Sequence, residues 1–245
     1  MYSALYNRVE NGVELEEVCS FIDSNINGEC LIQLEKVNET LVKRALKTMK
    51  SCKRDSIFDT VSDCFINGPD KLIMHLTNLV KLFLVHGFVP TSVLICTLSP
   101  LIKDNFGDMT ASDNYRAIAG GCLLVKLIDI VILLIEGDKL SFSELQFAYQ
   151  KNVSTTVCSW AATSVINYFN SRGTVVYGAA MDMSKAFDMV EWSRLFHTLL
   201  DRKVGCLFLR LMLFIYVNQS CEVKWNNFTS QKFTVNNGVI LMFSM

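Results

Sequence analysis

The sequence predicts an α+β fold, rich in helix and carrying a small antiparallel sheet. Three observations predict it. Several stretches repeat apolar residues at intervals of three and four, the mark of helices with one buried face. GTVVYGAAMDM, at 173–183, is β-branched and apolar on both sides, as in a central strand. CEVKW at 221–225 and QKFTV at 231–235, separated by Asn226 and Asn227, read as a hairpin. Of 245 residues, 51% are hydrophobic and 19% charged, enough apolar material for a sizeable core.

Taken in order, residues 35–50 (EKVNETLVKRALKTMK) form a helix with Leu41, Val42, Ala45, Leu46 and Met49 on one stripe. Its other face carries Lys43, Arg44, Lys47 and Lys50, and Lys53 and Arg54 follow. This densest basic patch is either a solvated helix face or a phosphate-contacting one. A second helix covers 68–86, after Gly68, Pro69 and Asp70. Residues 88–102 are strand-like between two prolines, and 103–116 form a polar loop. Helices follow at 120–135 and, opened by Ser154, Thr155 and Thr156, at 154–169. Residues 189–203 are amphipathic, with Trp192, Leu195, Phe196, Leu199 and Leu200 in helical register and Gly205 beyond the end. CLFLRLMLFIYV at 206–217 is a more buried helix.

Two aspartates stand six positions apart. Asp182 closes the apolar strand, where a buried lone carboxylate is costly unless paired, protonated or bound to a metal. That makes it a functional candidate. Asp188 precedes a helix, with Glu191 three residues on, the spacing of an N-cap and its reciprocal partner. On one helix the pair would point about 240° apart, too far to share a metal.

Composition sets further bounds. With 23 basic and 24 acidic residues the net charge is −1, so any nucleic-acid contact must come from local patches. Nine scattered cysteines without a CxxC spacing read as free thiols of a reducing compartment. The start, MYSALYNRVENGVELEE, has no apolar h-region. The expectation is an intracellular protein, cytoplasmic or nuclear and not secreted. The apolar stretches 76–98 and 122–135 are interrupted by Lys81, His86 and Pro90 and by Lys126 and Asp129, and read as core, so no membrane partner is expected.

DMSKAFD (182–188) resembles the D-x-S-K-A-F-D signature of reverse transcriptases from non-LTR, LINE-type retrotransposons. Other blocks agree in the same order: SPLIKDN (99–105) with SDNYRAIAG (112–120), KLIDIVILLI (126–135), LQFAYQKNVSTT (145–156) and FTVNNGV (233–239). The resemblance spans residues from about 40 to 239. It implies a right-hand polymerase: an N-terminal helical extension at 1–56, a fingers-like region at 57–173 and a partial palm at 174–245. Asp182 would be the catalytic carboxylate binding Mg2+, joined by the Met183 carbonyl. Phe187 would stack under the incoming sugar, and Lys103 and Arg116 would meet the triphosphate. The implied partners are an RNA template, a DNA primer and deoxynucleotides, with Lys43, Arg44, Lys47, Lys50, Lys53 and Arg54 on nucleic acid.

The pattern breaks after Gly238-Val239, where the family continues with x-Q-G and a Tyr-x-Asp-Asp hairpin and this sequence reads ILMFSM. Its last acidic residue is Glu222. Arg116-Ala117 and Phe147-Ala148 replace the family's Arg-Pro and Phe-Gly. The expectation is a reverse transcriptase-like protein, incomplete in palm and thumb and inactive alone. The alternative is a remnant that grips RNA or template–primer without chemistry.

Overall fold

The computed structural model describes residues 12–55, 57–140, 142–148, 150, 153–183 and 185–239. The helices among them are α1 Gly12–Ser24, α2 Gly28–Lys36, α3 Glu39–Thr48, α4 Ser62–Ile66, α5 Asp70–His86, α6 Leu123–Glu136, α7 Thr155–Asn170, α8 Trp192–Asp201 and α9 Cys206–Asn218. The strands are β1 Ile95–Ile102, β2 Tyr115–Gly120, β3 Ser220–Trp225, β4 Phe228–Thr229 and β5 Phe233–Thr234. The chain forms two units, one from 1–139 with 185–245 and one from 140–184.

In the first unit the helical stripes meet one another. Leu46 of α3, Val80 and Leu84 of α5, Leu127 and Ile128 of α6 and Phe208 and Leu211 of α9 share one buried cluster. Each such side chain contributes about 1.5–3 kcal/mol by leaving water. Helix α3 starts where Asn38 Oδ1 accepts the Leu41 N–H at 2.9 Å. Helix α5 ends at Gly87, whose φ of +70° is left-handed and whose N–H returns to the Phe83 carbonyl at 2.8 Å.

Arg210 of α9 closes that same end. Its Nη2 donates to the Leu84 and Val85 carbonyls at 3.1 and 2.7 Å, placing a cation on the negative pole of α5. A Cβ on Gly87 would stand 2.9 Å from Arg210 Cδ. Gly87→Ala therefore combines left-handed strain with displacement of a helix cap. The expected loss is about 1–2 kcal/mol, read as a lower urea midpoint with unchanged slope.

The sheet runs β2-β1-β3-β4, with β5 also on β3. Strands β1 and β2 are antiparallel, with Leu101 opposite Arg116 and Ile102 opposite Tyr115. Strands β1 and β3 are parallel, with Cys96 opposite Cys221. The sheet is therefore mixed, which corrects the expectation of an antiparallel one. The hairpin turns at Asn226 and Asn227 as expected, Asn226 taking a φ of +52°. Its return is split into two-residue pieces, β4 against Lys224 and Trp225 and β5 against Ser220 and Cys221.

Two local expectations are corrected. Residues 173–183 form no strand and are exposed throughout, with Tyr177 91% and Met181 98% accessible. A strand exists only with a neighbour, and no described residue makes a backbone hydrogen bond to 175–183. The second unit, accordingly, is helix α7, with no buried residue, followed by this extended stretch. Nor does Asp188 cap a helix. A turn with Lys185 at φ +54° delays α8 to Trp192, and Glu191 takes the cap position without a side-chain cap bond, pairing with Arg194 at 2.5 Å. No helix among the described residues is long and apolar enough to cross a membrane.

Candidate functional site

The β1–β2 connection is built by hydrogen bonds within a polar stretch. Asn114 organises it: its carbonyl accepts the Lys103 N–H at 2.8 Å, its Oδ1 accepts the Asp104 N–H at 3.0 Å, and its Nδ2 donates to the Asp104 carbonyl at 2.9 Å. Asp108 Oδ1 accepts from Thr110 Oγ1 and N, and these bonds hold its carboxyl below the usual range. Two cations converge on Asp113. Lys103 Nζ donates to its carbonyl at 2.6 Å, and Lys185 Nζ pairs with its carboxylate at 3.3 Å. Arg116 lies exposed on β2 next to this end of the strand pair and has no ion pair among the described residues.

The backbone around Phe187 is tied to the 237–239 segment. The Phe187 carbonyl accepts the Val239 N–H at 2.8 Å, the Val190 carbonyl accepts the Gly238 N–H at 2.8 Å, and Asn237 Nδ2 donates to the Asp188 carbonyl at 2.6 Å. Trp192 Nε1 donates to the Gly238 carbonyl at 2.8 Å. Gly238 has a φ of +84°, and a Cβ there would meet the Asp188 carbonyl oxygen at 2.9 Å. Backbone of 187–190 and 237–239 thus closes on itself where only glycine fits.

Of the residues singled out by sequence, Lys103 and Arg116 share the β1–β2 end, and Phe187 stands two residues after Lys185, which pairs with Asp113 there. Asp182 and Met183 belong to the second unit and are exposed, so Asp182 is not the buried strand-end carboxylate that was expected. One exposed carboxylate with a neighbouring carbonyl does not meet the near-octahedral oxygen shell of Mg2+. Among the described residues no group of three His, Cys, Asp or Glu is placed to hold a metal ion.

Lys43, Arg44, Lys47, Lys50, Lys53 and Arg54 are all exposed. Lys43 is engaged with Asp70 and Arg54 with Asp59, each at 3.0 Å. Lys126 of α6 adds to this field. Burial pushes its ammonium down, Asp129 opposes, and the charge of Lys50 pushes it further down. Sequence reasoning missed Lys126, Lys185, Asp113 and Asn237. The signal each left was its place inside a quoted block: Asp113 in SDNYRAIAG, Lys126 in KLIDIVILLI, Lys185 in DMSKAFD and Asn237 in FTVNNGV. A cleft of about 300 Å³ in the first unit, lined by Phe21, Asn25, Gln33, Leu200, Lys203 and Gly205 among others, contains none of these site residues.

Comparison with models of known protein families and with characterised proteins gives no match.

Proposed function

We propose that the chain is a reverse transcriptase-like domain of the non-LTR retrotransposon type, comprising fingers and part of a palm, and that it does not polymerise DNA by itself. What supports the reading most is that blocks distant in sequence meet in the first unit. SPLIKDN and SDNYRAIAG contribute the paired strands β1 and β2. Lys185 of DMSKAFD reaches Asp113 of the second block. Gly238 and Val239 of FTVNNGV bond to Val190 and Phe187 beside DMSKAFD. In this reading the cations Lys103, Lys185 and Arg116 answer the charge of a triphosphate, since phosphoryl transfer depends on positioning and electrostatic stabilisation. The reaction also needs carboxylates to hold two metal ions, and the residues present supply Asp182 alone of that set. Primer extension with RNA template, DNA primer, magnesium and deoxynucleotides is expected to give no incorporation above an Asp182→Ala control. Incorporation well above that control would overturn the inactive reading.

The exposed basic residues favour a second reading, a module that binds RNA or template–primer without chemistry. Arg44, Lys47 and Lys53 are accessible and form no ion pair among the described residues. Replacing all three with alanine is expected to weaken RNA affinity for every sequence alike. It should also flatten the dependence of log K on log salt by about two, at roughly 0.7 per phosphate contact. Unchanged affinity and slope would remove this patch from the interface.

A further inference from the structure

Cys96 and Cys221 are direct partners across the parallel junction of β1 and β3. Side chains at paired positions leave a sheet on one face. Neighbouring strands lie about 4.7–4.9 Å apart, within the roughly 4.4–6.8 Å that a disulfide spans between Cα atoms. Both thiols are free and fully buried. The Cys221 thiol is hydrogen-bonded to that of Cys96, and this bond first, with burial second, holds it far above the ordinary thiol range. On its outer side β3 is held by the two-residue strands β4 and β5 and by Ser230, whose N–H donates to the Val223 carbonyl and whose Oγ accepts the Val223 N–H, and a local opening of this short edge exposes it.

We propose that Cys96 and Cys221 form a redox modification site, a dithiol that a peroxide converts into a disulfide joining β1 to β3. In the first step the Cys96 thiolate attacks one oxygen of hydrogen peroxide and the O–O bond breaks. Cys96 becomes a sulfenic acid, and the departing hydroxide takes the thiol's proton to become water. In the second, the Cys221 sulfur attacks the Cys96 sulfur. The S–S bond forms, the S–O bond breaks, and hydroxide leaves with the Cys221 proton as a second water. Two thiols lose two electrons and one peroxide gains them. Burial makes the reaction slow and confines it to the partner already in contact. The bridge fastens the one parallel pairing in the described sheet, between segments 125 residues apart. The site stands independently of the polymerase reading.

The test exposes the native full-length protein to hydrogen peroxide, blocks remaining thiols with an alkylating agent and maps the peptides. The exposed thiols of Cys52, Cys64 and Cys158 report that peroxide acted. Cys122, buried and hydrogen-bonded to the Asp55 carboxylate, is the internal control for burial. The expected result is a peptide linking Cys96 to Cys221 with two hydrogens lost, reversed by a dithiol reductant and accompanied by a higher Tm. Oxidation in denaturant should spread linkage among the nine cysteines. Cys96 and Cys221 both alkylated, both carried to sulfinic acid, or linked to other cysteines, once Cys52 has reacted, would overturn the proposal. Cys96→Ser should abolish the linked peptide; if that variant does not fold, mapping of the unmodified sequence decides alone.

Discussion

Asp55→Ala is expected to lower stability by about 3–5 kcal/mol, from three charge-assisted hydrogen bonds, of which the one from Leu123 leaves a buried donor unpaired. Asp55 is 4% exposed. Its Oδ1 accepts the Ile57 and Phe58 N–H groups at 2.7 and 2.8 Å, and its Oδ2 accepts the Leu123 N–H at 2.8 Å. One carboxylate therefore shapes the 55–58 turn and caps the first turn of α6, 68 residues away. Burial alone would push the carboxyl up, but bonds from Phe58, Leu123, Ile57 and the Cys122 thiol outweigh it and hold the group below its usual range. The folded state thus prefers the charged form. Its contribution is full above the unfolded value, about 4, and fades as pH falls through that value toward the folded one. Urea titrations at pH 7 and below pH 4 should show the gap between wild type and Asp55→Ala narrowing in acid. A gap of the same size at both pH values would mean that the charge is not what anchors the helix.

Asp129→Asn carries the opposite sign. Asp129 lies on α6, and burial pushes its carboxyl up to about 7, with Lys126 pulling it down only in part. Tyr216 of α9 is raised as well, by burial first and by the Asp129 charge second, so the carboxylate faces α9 as well as its own helix. Here the folded state binds the proton that the unfolded chain releases near pH 4. Stability therefore falls as pH rises from about 4 to about 7, and the charge remains a burden above that. A move of that size corresponds to about 4 kcal/mol, and because part of the side chain stays accessible the gain on substitution is expected to be about 2–3 kcal/mol at pH 8, vanishing below pH 4. Denaturation curves of both proteins across that range test it. Equal stability at pH 8 would show that water, and not the packed helices, surrounds the carboxylate.

What was legible in the sequence was what local pattern decides. The stripe of Val42, Ala45 and Leu46 makes α3, and Asn226-Asn227 turns the hairpin, because each depends on residues within one or two turns of chain. What depends on a distant neighbour was not. The parallel pairing of Cys96 with Cys221 leaves no trace in either segment, and β2 follows directly on the polar 103–114 stretch, which hides where it starts. Residues 173–183 have the composition of a strand but lack, among the described residues, a partner to make them one. Asp188 was misread because periodicity marks where a helix face begins. The bonds of Gly238 and Val239 to Val190 and Phe187 instead hold 187–190 out of the helix, so α8 begins at Trp192. The cations of the candidate site were legible as residue types, while their meeting at Asp113 required the fold.

The first unit is discontinuous in the chain, and its core waits on Phe208, Leu211 and Ile215 of α9. A ribosome that has released α6 must add about 80 more residues before that cover arrives, an interval of several seconds at roughly 5–20 residues per second. Throughout it the apolar faces of α5 and α6 are made but unsealed. The nascent polypeptide therefore carries unsealed apolar surface during its own synthesis, and slowing translation between α7 and α9 lengthens that exposure.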